Sequence, residues 1–178
     1  SSFGFNTLSI VDKKPKNCSL KEFLENFLKF REEVVIKKTN FDLKKAEERA
    51  HILIGLSISV ENLDKAIKII RNSKTPDHAK KSLLNTKWKI TKSLKLIKLV
   101  QNKKTKQLYF LSEPQVISII ELKLQKLTAL GSNDIEIELK KLALLIIKYK
   151  KIINSKKELL KVISQELESI KEKFSIPR

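Results

Sequence analysis

The stretch Tyr109–Gly131, YFLSEPQVISIIELKLQKLTALG, decides how the rest of the chain is read. Ser112 suits an N-cap, Glu113 falls in the first turn, and Pro114 occupies a position where a missing N–H costs nothing, so a helix begins here. Gly131 supplies its stop. Val116, Ile120, Leu124 and Leu127 share one stripe, while Ile117, Ile119 and Leu122 fall on other faces. Apolar residues therefore cover more than the single face that a surface helix needs. Two readings stay open: a fully buried central helix of a monomer, or a helix with one face in a local core and another against a second copy.

Upstream, Phe3–Val11 alternates as a strand does and meets a turn at Asp12-Lys13-Lys14-Pro15. A lone strand is not stable, so its sheet partners are expected outside the chain. The chain also starts Ser-Ser and stops at Pro177-Arg178, and the expectation is a piece of a longer protein. Ser19 to Glu22 forms a capping box that opens a long helix. Phe23, Phe27, Phe30 and Val34 make a broad stripe with Leu20, Leu24 and Leu28. It narrows to Ile36, Leu43, Ala46 and Ala50, then widens again from Leu53 through Ile70. Unbroken from Ser19 to Arg71, this rod would reach roughly 75 Å, with Gly55 a helix–helix contact or a kink. Thr75-Pro76-Asp77 caps a short helix through Leu84. Between residues 85 and 108 the pattern is poor; Trp88, Ile90, Leu94, Ile97 and Leu99 fit a small helix before a basic loop at Gln101–Gln107.

Downstream, Ser132-Asn133-Asp134 caps a helix carrying Ile135, Leu139, Leu142, Ile146, Tyr149 and Ile153. Ser155 to Glu158 reads as a second capping box, followed by Leu160, Ile163, Leu167, Ile170 and Phe174 at three-and-four spacing. This last helix is the natural antiparallel partner of the thin rod. The expected fold is mainly α: a long antiparallel two-helix coiled-coil stalk, a small helical globule that dimerises, and a short N-terminal strand from a truncated sheet. The corresponding divisions are 1–18, 19–52, 53–153 and 154–178. A compact bundle is the alternative, and the narrow stripe between Ile36 and Ala50 argues against it.

Composition agrees with helix: three Gly and four Pro leave little material for turns. The net charge of +18 favours an anionic partner, whether nucleic acid, acidic protein or membrane surface. The one cysteine, Cys18, excludes an internal disulfide and fits a reducing cytoplasm. No apolar run is long enough to span a membrane. His51 and His78 have no Cys or paired acidic residues at metal spacing, and no phosphate loop or nucleophilic triad is present. Both tyrosines, Tyr109 and Tyr149, sit at apolar helical positions, which points to core packing. Lysine pairs such as Lys37-Lys38 and Lys44-Lys45 are ordinarily solvated faces; the functional reading is contact with DNA phosphate.

Ordered blocks along the chain resemble the DNA gyrase A family. Tyr109-Phe110-Leu111-Ser112-Glu113, Gln115 and Ile120–Leu130 are similar to its exit-gate segment. Ser2–Asn6, Arg31–Val35, Arg49–Leu53, Asn62-Leu63-Asp64, Ile69-Ile70-Arg71, Thr75-Pro76 with Ala79-Lys80, and Glu166-Leu167-Glu168 through Phe174 continue the likeness in order. Residues 75–111, with Trp88, look like gyrase rather than its shorter topoisomerase IV counterpart. Lys123 departs from the usual Arg, and Ala129 from the usual Gly.

The resemblance implies the end of the tower, the stalk and the exit gate of an enzyme that supercoils DNA negatively by ATP-dependent double-strand passage. It implies a homodimer through the gate, a heterotetramer with an ATPase subunit that binds ATP and magnesium, double-stranded DNA as partner, and a cytoplasmic location. From the helix faces, the expected dimer contact is Ile117, Ile120, Leu124, Leu127 and Leu130. Lys37, Lys38, Lys44 and Lys45 are the expected DNA-proximal residues. No catalytic, cofactor or metal residue is expected in this stretch, because the family's cleaving tyrosine lies upstream, and the chain alone is expected to be inactive. The rival readings are a basic helical nucleic-acid-binding module without enzyme activity and a secreted helical ligand-binding protein.

Overall fold

The computed structural model describes residues 4, 6–91, 93, 97, 108–122 and 132–176. The chain is mainly helical, with a two-stranded sheet near its N-terminus. It divides into two compact units, Ser1–Asp42 with Tyr149–Arg178, and Leu43–Lys148.

The first unit opens with strands β1 (Leu8–Val11) and β2 (Lys14–Asn17), paired antiparallel from Leu8 opposite Asn17 to Val11 opposite Lys14. The expectation that the first strand lacks a partner within the chain is therefore corrected. Asp12 and Lys13 take φ of 51° and 65°, the left-handed pair that a two-residue hairpin turn demands. Pro15, which cannot donate to a ladder, is accommodated because β2 is an edge. Helix α1 (Leu20–Glu61) follows. Its capping box forms as the sequence predicts: Ser19 N–H donates to Glu22 Oε2 at 2.8 Å, and Glu22 N–H donates to Ser19 Oγ at 3.3 Å. These backbone and side-chain donors, together with Lys16, hold the Glu22 carboxyl below its ordinary range.

The two C-terminal helices are α5 (Ser132–Asn154) and α6 (Lys156–Phe174). In the first unit Val35 is packed against Ile152, Leu159 and Ile163. One turn earlier on α1, Arg31 reaches Glu166, further along α6, at 2.5 Å, and this is the order of an antiparallel pair. The buried positions of α6 are Leu159 and Ile163, whereas Leu160, Leu167 and Ile170 are 41%, 38% and 49% exposed. The stripe is thus rotated from the expected one by a single residue at its start. Ser155 caps α6 without a side-chain hydrogen bond, so the second capping box does not form; Glu158 is drawn to Lys151 at 3.5 Å. Phe23, Phe27 and Phe30 of α1 remain 43–61% exposed and line a cleft of about 300 Å³ with Ile10 and Val11 of the hairpin.

The second unit begins with the remainder of α1, where Ala50, Leu53, Ile54 and Ile58 are buried. The long helix stops at Glu61 and does not run to Arg71. Asn62 interrupts it: its amide donates to Ile58 O and to Lys89 O, both at 2.9 Å, and its backbone leaves helical geometry with φ −119° and ψ 41°. Helices α2 (Leu63–Asn72) and α3 (Pro76–Asn85) follow. Thr75 caps α3 by accepting from His78 N–H at 3.2 Å.

Trp88 corrects a further expectation. It lies in strand β3 (Trp88–Lys89), paired with β4 (Leu108–Tyr109), and not in a helix. Fully buried, it donates its indole N–H to Leu83 O at 3.2 Å, and Lys65 Nζ stands 5.4 Å above its ring. Ile90 and Ile97 are buried, while Leu94, Leu99 and the loop 101–107 lie outside the described residues. The Glu61 carboxylate receives the N–H and hydroxyl groups of both Thr91 and Ser93, fixing the chain that leaves β3 to the end of α1.

Candidate association surface

The stretch after β4 forms helix α4 (Glu113–Glu121). Leu122 turns extended, with φ −68° and ψ 115°, so the helix does not continue through it to Gly131 as expected. Residues 123–131 lie outside the described residues, and with them Leu124, Leu127 and Leu130.

Helix α4 is held by a polar lock as well as by apolar packing. Gln115 is fully buried; its Oε1 accepts from Ser112 N–H at 2.9 Å, and its Nε2 donates to His51 O at 2.7 Å and to the Tyr109 hydroxyl at 3.3 Å. The Ser112 hydroxyl lies 2.6 Å from His51 Nε2. Burial holds the His51 pKa below its ordinary value. Gly55, one turn beyond His51 on α1, gives this amide its room: a Cβ there would stand 2.7 Å from Gln115 Cβ and Cγ. Lys80 of α3 pairs with Glu113 at 2.5 Å, and its hydrogen bond, then its charge, lower the Glu113 pKa. Arg49 of α1 grips Glu138 of α5 with two hydrogen bonds, at 2.8 and 3.3 Å.

With this lock in place, α4 turns Val116 and Ile119 inward, both fully buried, and leaves Ile117 38% exposed and Ile120 half-buried. Of the five expected contact residues, these two are described, and they lie beyond the buried face of α4. The sequence offers Gly55 as a helix–helix contact, and Gln115 of α4 packs against it; the joining of His51 and Gln115 at that contact is what sequence reasoning missed. The available signal was a glycine inside a helix, four residues after a histidine, which marks close approach of another backbone or side chain. Tyr109 was expected at a helical position and lies in β4, where its hydroxyl accepts from Gln115. Lys37, Lys38, Lys44 and Lys45 are all exposed on α1; Lys38 stands 3.8 Å from Glu166 and Lys44 4.0 Å from Glu48. Among the described residues no group of His, Cys, Asp and Glu could hold a metal ion, and no helix is long and apolar enough to cross a membrane.

A family model for the A subunit of DNA gyrase/topoisomerase IV matches residues 1–168. The chain belongs to this family. Curated relatives, each named as the A subunit of DNA gyrase, agree along its whole length. The chain is 41% identical over 182 residues to the protein of Rickettsia typhi, covering 100% of this chain and 20% of that one. It is 37% identical over 177 residues to that of Clostridium acetobutylicum, covering 99% and 19%. To the Buchnera aphidicola protein it is also 37% identical over 177 residues, covering 99% and 20%. The chain therefore spans about a fifth of the length of the curated gyrase A relatives it matches. The lock around Gln115 is built on the chain's own copies of the blocks that carry the resemblance, Arg49–Leu53 and Tyr109–Gln115.

Proposed function

We propose that this chain is the stalk and exit-gate segment of the DNA breakage-reunion subunit of a gyrase. In this reading it serves ATP-dependent negative supercoiling, a type II topoisomerase reaction, by closing and opening the way out for a transported duplex. The observation that supports it most is the family match over residues 1–168 combined with an α4 whose inner face is fixed while Ile117 stays accessible. Two copies would meet through Ile117, Ile120, Leu124, Leu127 and Leu130.

Apolar contact suits a reversible gate. Burial at about 25 cal/mol per Å² holds two surfaces together with no covalent link to break on opening. Rigidity behind the contact matters as much, because a soft helix would spend association energy on ordering itself. The His51–Ser112–Gln115 lock supplies that backing.

The chain's own residues supply no cleavage chemistry in this reading. Tyr109 is committed to Gln115, and Tyr149 is half-buried on α5. Cleavage then belongs to another part of the subunit, and ATP and magnesium to an ATPase partner in a cytoplasmic heterotetramer. Lys37, Lys38, Lys44 and Lys45 would face double-stranded DNA, where each phosphate neutralised releases counterions and steepens the salt dependence.

The test is to place Ile117→Asp with Leu124→Asp in the full-length subunit, reconstitute it with its ATPase partner, and measure supercoiling beside the unaltered enzyme. The expected result is a loss of about tenfold or more in supercoiling with helical content retained. Unchanged supercoiling, or relaxation and cleavage by the 178-residue chain alone, would overturn the reading.

A further inference from the structure

Helix α5 carries two apolar stripes where one would satisfy the core. Ile135, Leu139, Ala143 and Ile146 are buried in the second unit. On the opposite side Ile137, Leu144 and Ile147 are 52%, 69% and 57% exposed. Lys141 and Lys148 are exposed beside them, and Lys140, on the same side, pairs with Glu136 of its own helix at 2.8 Å. The spacing has the register of a coiled-coil seam. Ile137 and Leu144 recur after seven residues at one core position, Lys140 and Ile147 at the other, and Lys141 and Lys148 at the flanking position where charges choose the partner.

We propose that this outward face of α5, from Ile137 to Lys148, docks an acidic amphipathic helix of another protein. A DNA backbone would use the lysines but offers nothing to cover Ile137, Leu144 and Ile147. A second copy of the chain meeting at the same face would set Lys141 and Lys148 against their own equivalents. A helix with apolar residues every three and four positions and glutamates along its edges satisfies both halves of the surface. This inference is independent of the gate contact on α4.

The probe is a fluorescently labelled peptide of three heptads with Leu at the core positions and Glu at the flanking ones, titrated with the 178-residue chain and followed by anisotropy. A twin peptide carries Lys for Glu. The chain should bind the acidic peptide saturably and prefer it to the basic one by about tenfold or more. Leu144→Ser with Ile147→Ser should weaken binding about tenfold or more while circular dichroism stays unchanged. Lys141→Glu with Lys148→Glu should reverse the preference toward the basic peptide, a result that loss of folding cannot produce. Equal affinity for both peptides, binding unaffected by the charge reversal, or binding only to duplex DNA or to anionic phospholipid vesicles would overturn the proposal.

Discussion

His51 Nε2 lies 2.6 Å from the hydroxyl of Ser112, a contact that ties the middle of α1 to the N-cap of α4. The imidazole is partly buried, and its pKa is held down by desolvation. A proton added there would be desolvated and would sit at the positive end of the α4 dipole, so both effects favour the neutral ring.

The folded-state pKa is therefore lower than the unfolded one. Stability contributed by the neutral ring is fully present above the ordinary histidine value of about 6.5 and is lost as pH falls through the folded pKa. Thermal unfolding followed from pH 8 to pH 5 should show a decrease beginning near that value. His51→Gln should remove the decrease from this window. A wild-type profile flat across the window would contradict the assignment.

Gly55→Ala tests the fit of Gln115 under α1. The added Cβ meets Gln115 Cβ and Cγ at 2.7 Å, and neither is the free end of a flexible chain, because the amide beyond them makes three hydrogen bonds. The expected cost is about 1–3 kcal/mol by denaturant unfolding. Adding Gln115→Gly, which removes both the Cβ and the Cγ, should make the glycine substitution cheaper, giving a non-zero coupling in the double-mutant cycle. Additive effects would mean that the two residues do not share this space.

Helix α4 should separate core from surface by adjacent residues. Ile119→Ala removes a fully buried side chain and should cost about 2–4 kcal/mol. Ile117→Ala, at 38% exposure, should cost less than about 1 kcal/mol in the monomer. Equal costs would show that α4 packs through a different face.

Glu61 anchors the chain after β3 by accepting from Thr91 and Ser93 through both backbone and hydroxyl groups. Glu61→Gln keeps the shape but replaces one acceptor oxygen with a donor, and should cost about 1–3 kcal/mol. Loss of Trp88 fluorescence shift at lower denaturant reports it locally, since the ring is buried close by.

Helices were legible where spacing and caps coincided. Ser19 with Glu22 and Thr75 with Pro76 marked their starts correctly, and residues 63–72 and 76–85 form separate helices as the turn residues between them require. What was not legible depends on contacts distant in sequence. The end of α1 is set at Asn62, whose amide joins Ile58 O within the helix to Lys89 O, a partner distant in sequence. Strands β3 and β4 have two residues each, too few to show alternation, and Trp88 looked equally suited to a small helix. The hairpin turn was visible in Asp12 and Lys13, but its second strand, with Lys and Pro, carries no apolar period at all. Around α4 the spacing groups Val116 with Ile120, whereas the fold buries Val116 with Ile119, and His51 and Gln115 join only through the fold.

An exit-gate role requires two copies of the chain to associate through α4 and the stretch that follows it. Sedimentation equilibrium of the 178-residue chain across a concentration series tests it most directly, with Ile117→Asp and Leu124→Asp run beside it. The expected result is a concentration-dependent dimer that either substitution shifts to monomer without loss of helical content. A strict monomer at the highest concentration, or a dimer indifferent to both substitutions, would contradict it.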